Sequence, residues 1–191
     1  MGGDRSGEIE SSDASKLERL VSRMEIEECL LRYCRGIDRH DVELVRSAYH
    51  PDARDDHAAR IGLGHDLADW ANAMHDDVLG LSGHQHYITN VSIELDGDTA
   101  HVETYYFTAN VRRDSDELTM GGGRYLDRFE RRDGVWAIAA RIVTTEWWDD
   151  PEMLRGIAKL GIAPVQGRED PSFRRPLVVD RADRVAMGPG S

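Results

Sequence analysis

The apolar positions of this chain change period once. From Leu17 to Val78 they recur mostly at helical spacing, and from His86 to Trp147 they alternate every second residue. Leu17, Leu20, Val21, Met24, Leu30 and Leu31 predict a first helix over about 15–34. Ser15-Lys-Leu-Glu18 reads as a capping box at its start and Gly36 as its stop. Asp41 is a good N-cap for a short second helix from Val42 to about Tyr49, broken by Pro51. Residues 54–61 predict a short strand, and Gly62-Leu-Gly64 a turn. Leu67, Trp70, Ala71, Met74 and Val78 form the apolar stripe of a third helix ending near Gly80.

The strand-like half begins with 86–95. Strict alternation would set Tyr87, Thr89, Val91, Ile93 and Leu95 on one face and His86, Ile88, Asn90 and Ser92 on the other. Asp96-Gly97-Asp98 signals a tight hairpin into a strand over about 99–112. A third strand spans 119–131, loosened at its start by Gly121–Gly123, and Asp133-Gly134 turns into a last strand from Val135 to about Trp147. A short helix over 151–162 and an extended tail from Pro164 follow. Helices first and then a meander of four long strands predict an α+β domain, with a curved, mostly antiparallel sheet wrapped around N-terminal helices. The expected division is a disordered segment over 1–13, the domain over 14–150 and a C-terminal extension over 151–191.

Composition narrows the partners. The 191 residues carry a formal net charge of -12 with no basic stripe, which argues against nucleic acid and anionic membrane. No apolar run approaches the roughly 18 residues of a membrane helix, and the start has no apolar signal region. The two cysteines, Cys29 and Cys34, lie on one predicted helix in poor geometry for a disulfide. They supply no four-cysteine zinc site, and free thiols suit a reducing cytoplasm.

A few polar residues stand out against this apolar background. Asp38 is either a loop or capping aspartate, or a carboxylate aimed into the mouth of the sheet and able to tune an imidazole. His84 and His86 share a strand face. They are hydrogen-bonded strand histidines, or two zinc ligands needing a third such as His101 or Glu103, or they include a general base at His86. Tyr33 is a core tyrosine or a donor to a substrate oxygen. Arg141 interrupts a nearly apolar strand and must pair or face a wet cavity, as a structural ion pair, an oxyanion binder or a partner of Asp38. Tyr49, Trp70, Tyr106 and Trp147 are aromatics able to line a pocket with His84, although each also suits a core. Gly121–Gly123 lacks the phosphate-loop pattern.

These pieces carry a resemblance. Tyr33-x4-Asp38, His86-Tyr-x-x-Asn90 and Glu130-Arg-Arg-Asp-Gly-Val-Trp136, in that order, resemble the SnoaL-like branch of the NTF2-like superfamily over about 14–148. The likeness is greatest to the group holding hexachlorocyclohexane dehydrochlorinase, bile acid 7α-dehydratase and scytalone dehydratase. It implies an α+β cone and a cofactor-independent lyase or isomerase acting on a hydrophobic hydroxylated or keto ring compound. Asp38 falls at the group's catalytic aspartate, His86 at its catalytic histidine and Arg141 at its inward arginine. Tyr33 stands where the dehydrochlorinase carries a lysine, which favours an oxygenated substrate. No metal or cofactor is implied, and a homodimer or homotrimer is. A ligand-binding or assembly module, or the small subunit of a ring-hydroxylating dioxygenase, is the competing expectation.

Overall fold

In the computed structural model, which describes residues 5–186 with side chains from Asp13 onward, helix α1 spans Arg5–Asp38. Residues 1–4 of the segment expected to be disordered lie outside the described residues. The helix starts earlier than its apolar pattern because Glu8 to Ala14 contain neither proline nor glycine, so a helix already formed propagates through them. It also runs through Gly36 instead of stopping there. A Cβ at Gly36 would lie 2.7 Å from Val45 Cγ2, so this glycine serves the close approach of helix α2, Val42–Arg46. Asp41 caps α2 as expected, accepting a hydrogen bond from the Leu44 backbone N–H.

The buried face of α1 is Ile26, Cys29, Leu30, Tyr33, Cys34 and Ile37. Leu17, Leu20, Val21, Met24 and Leu31, part of the predicted stripe, are exposed. Two apolar stripes compete on this helix, and the sheet covers only the one that begins at Ile26. After α2 come strands β1 (Tyr49–Asp56) and β2 (Arg60–Leu63), helix α3 (Leu67–Ala73) and a π-helical turn, Met74–Val78. The long strands are β3 (Leu81–Asp96), β4 (Thr99–Arg112), β5 (Leu118–Arg132) and β6 (Val135–Trp148). Helix α4, Pro151–Leu160, and a two-residue strand β7, Arg184–Val185, complete the chain.

All seven strands form one sheet in the order β3-β4-β5-β6-β1-β2-β7. Only the β1–β6 pair is parallel. The sheet curves around α1. Ile93, Val102, Tyr106, Tyr125, Phe129, Trp136 and Ile138 meet its buried face in a single core. No helix among the described residues is long and apolar enough to cross a membrane.

Strand β3 departs from strict alternation in two places, near its start between Leu81 and Gly83 and again in its middle. Its register against β4 shifts between Ile88 and Val91. This bulge takes up the extra residue, so Ile88 as well as Val91, Ile93 and Leu95 pack on the core. The side chains predicted to oppose each other across residues 88 and 91 therefore share a face. His84 and His86 fall on that face too, half-buried.

The tail is not loose. Leu177 is buried with Leu126 and Ile142 in a second small core on the other side of the sheet. Asp170 takes both terminal nitrogens of Arg124 at 2.9 Å, and Arg181 reaches Asp56 at 2.8 Å. The charges that make the tail sequence look solvated are the groups that fasten it.

Candidate active site

The end of α1 delivers Asp38 to strand β3. A carboxylate in the last turn of a helix faces the negative end of the helix dipole, so it must find donors elsewhere. It finds three contacts on one residue. His86 Nδ1 lies 2.7 Å from Asp38 Oδ1, and the His86 backbone N–H donates to both carboxylate oxygens at 3.1 Å. Burial works to raise the Asp38 pKa, but these bonds and the imidazole charge outweigh it and hold the carboxyl below its ordinary range. With Nδ1 committed to Asp38, Nε2 is the nitrogen of His86 left to act.

His86 lines an apolar cavity of about 170 Å³ between the helices and the sheet. Its walls include Ile37, Trp70, Tyr106, Val143 and Trp148, with Met153 and Ile157 of α4 at one side. The cover therefore comes from the extension, through α4 and not through the tail beyond it.

A second histidine faces the same cavity. His57 follows β1, and its Nδ1 lies 2.6 Å from Asp55 Oδ1. Asp55 is fully buried and accepts a further bond from the Tyr49 hydroxyl at 2.8 Å. On the other side of the ring, His57 Nε2 is 3.2 Å from the Tyr33 hydroxyl. A continuous chain of four groups results: Tyr49, Asp55, His57, Tyr33. Burial pushes the Asp55 pKa up, but the His57 charge and bond, then Arg141 and Tyr49, hold it below the ordinary carboxylate range. Desolvation drives Tyr33 far above the usual phenol range, so its hydroxyl keeps its proton at rest.

Arg141 supports this chain from behind. Its side chain is fully buried and makes a two-pronged pair with Asp127, both bonds 2.7 Å. The charge of Asp127 holds the guanidinium charged despite its desolvation. The cation lies 4.2 Å from the Tyr33 ring centre and 4.3 Å from that of Tyr125, in the corner made by these two nearly perpendicular rings. Its Nη1 has no hydrogen-bond partner.

A model of the SnoaL-like domain family matches residues 18–142, well over half of the chain. The chain belongs to the SnoaL-like family. It is 29% identical over 130 residues to an uncharacterized protein of Mycobacterium tuberculosis, covering 65% of this chain and 86% of that one. Among solved structures it is similar to hexachlorocyclohexane dehydrochlorinase LinA-type3 from Novosphingobium barchaimii. That match has a TM-score of 0.62 at 21% identity, over 78% of this chain and 99% of the other. A proposed scytalone dehydratase from Novosphingobium aromaticivorans gives a TM-score of 0.60 at 19% identity, over 69% and 89%. At these identities the structural likeness shows a shared fold.

Within this SnoaL-like domain, the residues singled out in the sequence divide. Asp38 and His86 meet. Tyr33 reaches the cavity wall, but its hydroxyl is engaged by His57. Arg141 pairs with Asp127, not Asp38, and is not part of the cavity lining. Trp70 and Tyr106 line the cavity. Tyr49 lies behind it, on Asp55. Trp147 is 45% exposed, and its neighbour Trp148 takes the lining position, because alternation along β6 turns only one of the two inward. His84 belongs to a wider outer cleft, where its Nε2–H donates to the Ile37 carbonyl at 3.1 Å. His101 and Glu103, the suggested third zinc ligands, are elsewhere on β4. Glu103 is 2.7 Å from Arg124, and His101 sits beside the tail. His57 and Asp55 were missed altogether. Their signal was the Asp-x-His spacing, which on a strand puts both side chains on one face.

Proposed function

We propose that this SnoaL-like protein is a cofactor-independent lyase of the dehydratase or isomerase type. The observation that carries the reading is the Asp38–His86 pair, with one imidazole nitrogen anchored and the other left to an apolar cavity. The neighbours whose names include a dehydrochlorinase and a proposed scytalone dehydratase support the reaction class. In the dehydration reading, His86 Nε2 takes a proton from carbon beside a carbonyl. The C–H electron pair becomes the new C=C bond, and the C–O bond breaks. The departing hydroxyl takes a proton from Tyr33 and leaves as water, and the proton left on His86 returns to Tyr33 through solvent. Asp38 stabilises the imidazolium formed on His86, as the aspartate does in a Ser-His-Asp triad. Arg141 acts through Tyr33, favouring any negative charge that develops on the phenol oxygen.

The cavity size bounds the substrate. About 170 Å³ compares with the roughly 150 Å³ of an engineered apolar cavity that holds benzene. A compact cyclic β-hydroxy ketone fits better than a steroid. The test is a panel of such compounds, followed by the absorbance of the conjugated enone product. The expected result is turnover by the wild type that His86→Ala removes. A well-folded His86→Ala that retains full turnover overturns the reading. So does an Asp38→Asn variant that binds these compounds as tightly as a wild type with no turnover, which would mark a ligand-binding module.

A further inference from the structure

The outer cleft beside Asp38 gathers three histidines from three different elements. His40 lies in the turn between α1 and α2, His75 in the π-helical turn and His84 on β3. Each offers one ring nitrogen, and the three nitrogens lie within 4.8 Å of one another. The ring centres are 4.0 Å apart for His75 and His84, 5.4 Å for His40 and His84, and 5.8 Å for His40 and His75. This is the one metal-capable cluster among the described residues.

We propose that His40, His75 and His84 form a binding site for a zinc-like divalent cation at the rim of the cleft. Three features beyond proximity support it. The Ile37 carbonyl can only accept a hydrogen bond, so it fixes the N–H of His84 on Nε2 and leaves the Nδ1 lone pair free. Metal-bound imidazoles are oriented in just this way, by a carbonyl on the opposite nitrogen. Second, His75 Nδ1 is buried with no hydrogen-bond partner, a cost that a bound cation removes. Third, His75 is delivered by a π-helical turn, and such turns concentrate at functional sites.

Zinc–nitrogen bonds of about 2.0–2.1 Å require the three nitrogens to draw closer by roughly 1 Å. His40 is the ligand with freedom to do so. It is on a turn, with a left-handed backbone at φ 53°. The Asp76 carboxylate is 3.7 Å from His40 Nδ1 and is also reached by Arg113 at 3.4 Å. It offers a fourth ligand, or leaves that position to water. An all-imidazole set selects zinc, cobalt or nickel over magnesium and calcium, which prefer oxygen. The three ligands are not the groups that carry the proposed lyase chemistry, although His75 also lines the cavity that His86 faces.

The experiment uses the untagged full chain, stripped with a chelator and titrated with Zn²⁺ by calorimetry. Co²⁺ serves as a spectroscopic probe. The expected result is one zinc per chain and the visible bands of a four-coordinate, nitrogen-bound cobalt. His75→Gln and His40→Gln should each weaken zinc by at least about 100-fold, with unchanged circular dichroism. His101→Gln, a half-buried histidine outside the cluster, should leave binding unchanged. Failure to bind zinc overturns the proposal, as does binding that His75→Gln and His40→Gln leave intact. Neither readout involves turnover, so the lyase reading stands or falls separately.

Discussion

The two histidine–aspartate pairs of this domain look alike and are built differently. Asp38 and His86 are far apart in sequence and meet only when the end of α1 docks on β3. Asp55 and His57 are two residues apart and meet within one short segment. Asp38 is 13% exposed and draws its extra bonds from a backbone N–H, whereas Asp55 is fully buried and draws its own from a tyrosine. The difference teaches which pair can lose a member cheaply. The first borders solvent, so breaking it should cost chemistry. The carboxylate of the second is sealed, although His57 itself reaches the cavity, so breaking that pair should cost the fold as well.

Substitution of His86 tests that contrast most directly. His86→Ala should lower kcat/KM by about 10²–10⁴-fold. Its unfolding free energy should stay within about 1 kcal/mol of wild type in urea. Asp55→Ala should lower stability as well in the same urea assay. It strands the buried Tyr49 hydroxyl and the His57 ring, for a loss of about 3–5 kcal/mol. If Asp38→Ala destabilised the protein as much as Asp55→Ala, the contrast would be wrong. Tyr33→Phe sharpens it further by removing the hydroxyl that His57 contacts on the cavity wall. The expected outcome is a fall in kcat of roughly tenfold or more, with KM little changed and a stability loss of about 1 kcal/mol.

The smallest effect concerns pH. Asp38 and Asp55 both titrate below the ordinary carboxylate range in the folded protein. The stability they add is present above that range and is lost as pH falls through their lowered values. His101, remote from both pairs, gives a separate signal because burial lowers its pKa to about 4. The unfolded chain takes up this proton first, so stability falls as pH drops from about 6.5 toward 4. His101→Gln should flatten that part of the profile by about 1 kcal/mol, after allowance for its partial exposure. A profile unchanged by His101→Gln would leave the slope there to other histidines.

Much of this architecture could be read from the chain. The change of period from helical to alternating marks the boundary between helices and meander, and Asp96-Gly97 and Asp133-Gly134 mark the hairpins. Asp38 and His86 were legible because short motifs around them resemble a family. Asp55 and His57 were not, although their spacing is equally informative, because strand β1 is short and polar and gave no pattern to stand out from. The bulge at Ile88–Val91 was hidden for a different reason. Alternation predicts faces only while the backbone adds no residue, and nothing in Thr89-Asn90 announces the shift. The fate of Arg141 depended on Asp127, two strand neighbours brought together by register across the Asp133-Gly134 hairpin. The tail misled because pairs such as Arg124–Asp170 join residues that only the completed sheet brings together.

Strand β3 lies at one border of the sheet. A border strand offers unpaired amides to any passing chain, and proteins must blunt such templates. The His86 amide points away from β4 and ends on the Asp38 carboxylate. The side chain that orients the imidazole thus also occupies one amide of the open strand that could otherwise pair with another chain. Changes at Asp38 are therefore constrained twice, once by reactivity and once by colloidal behaviour, and a variant that merely swaps chemistry at this position inherits a sticky edge.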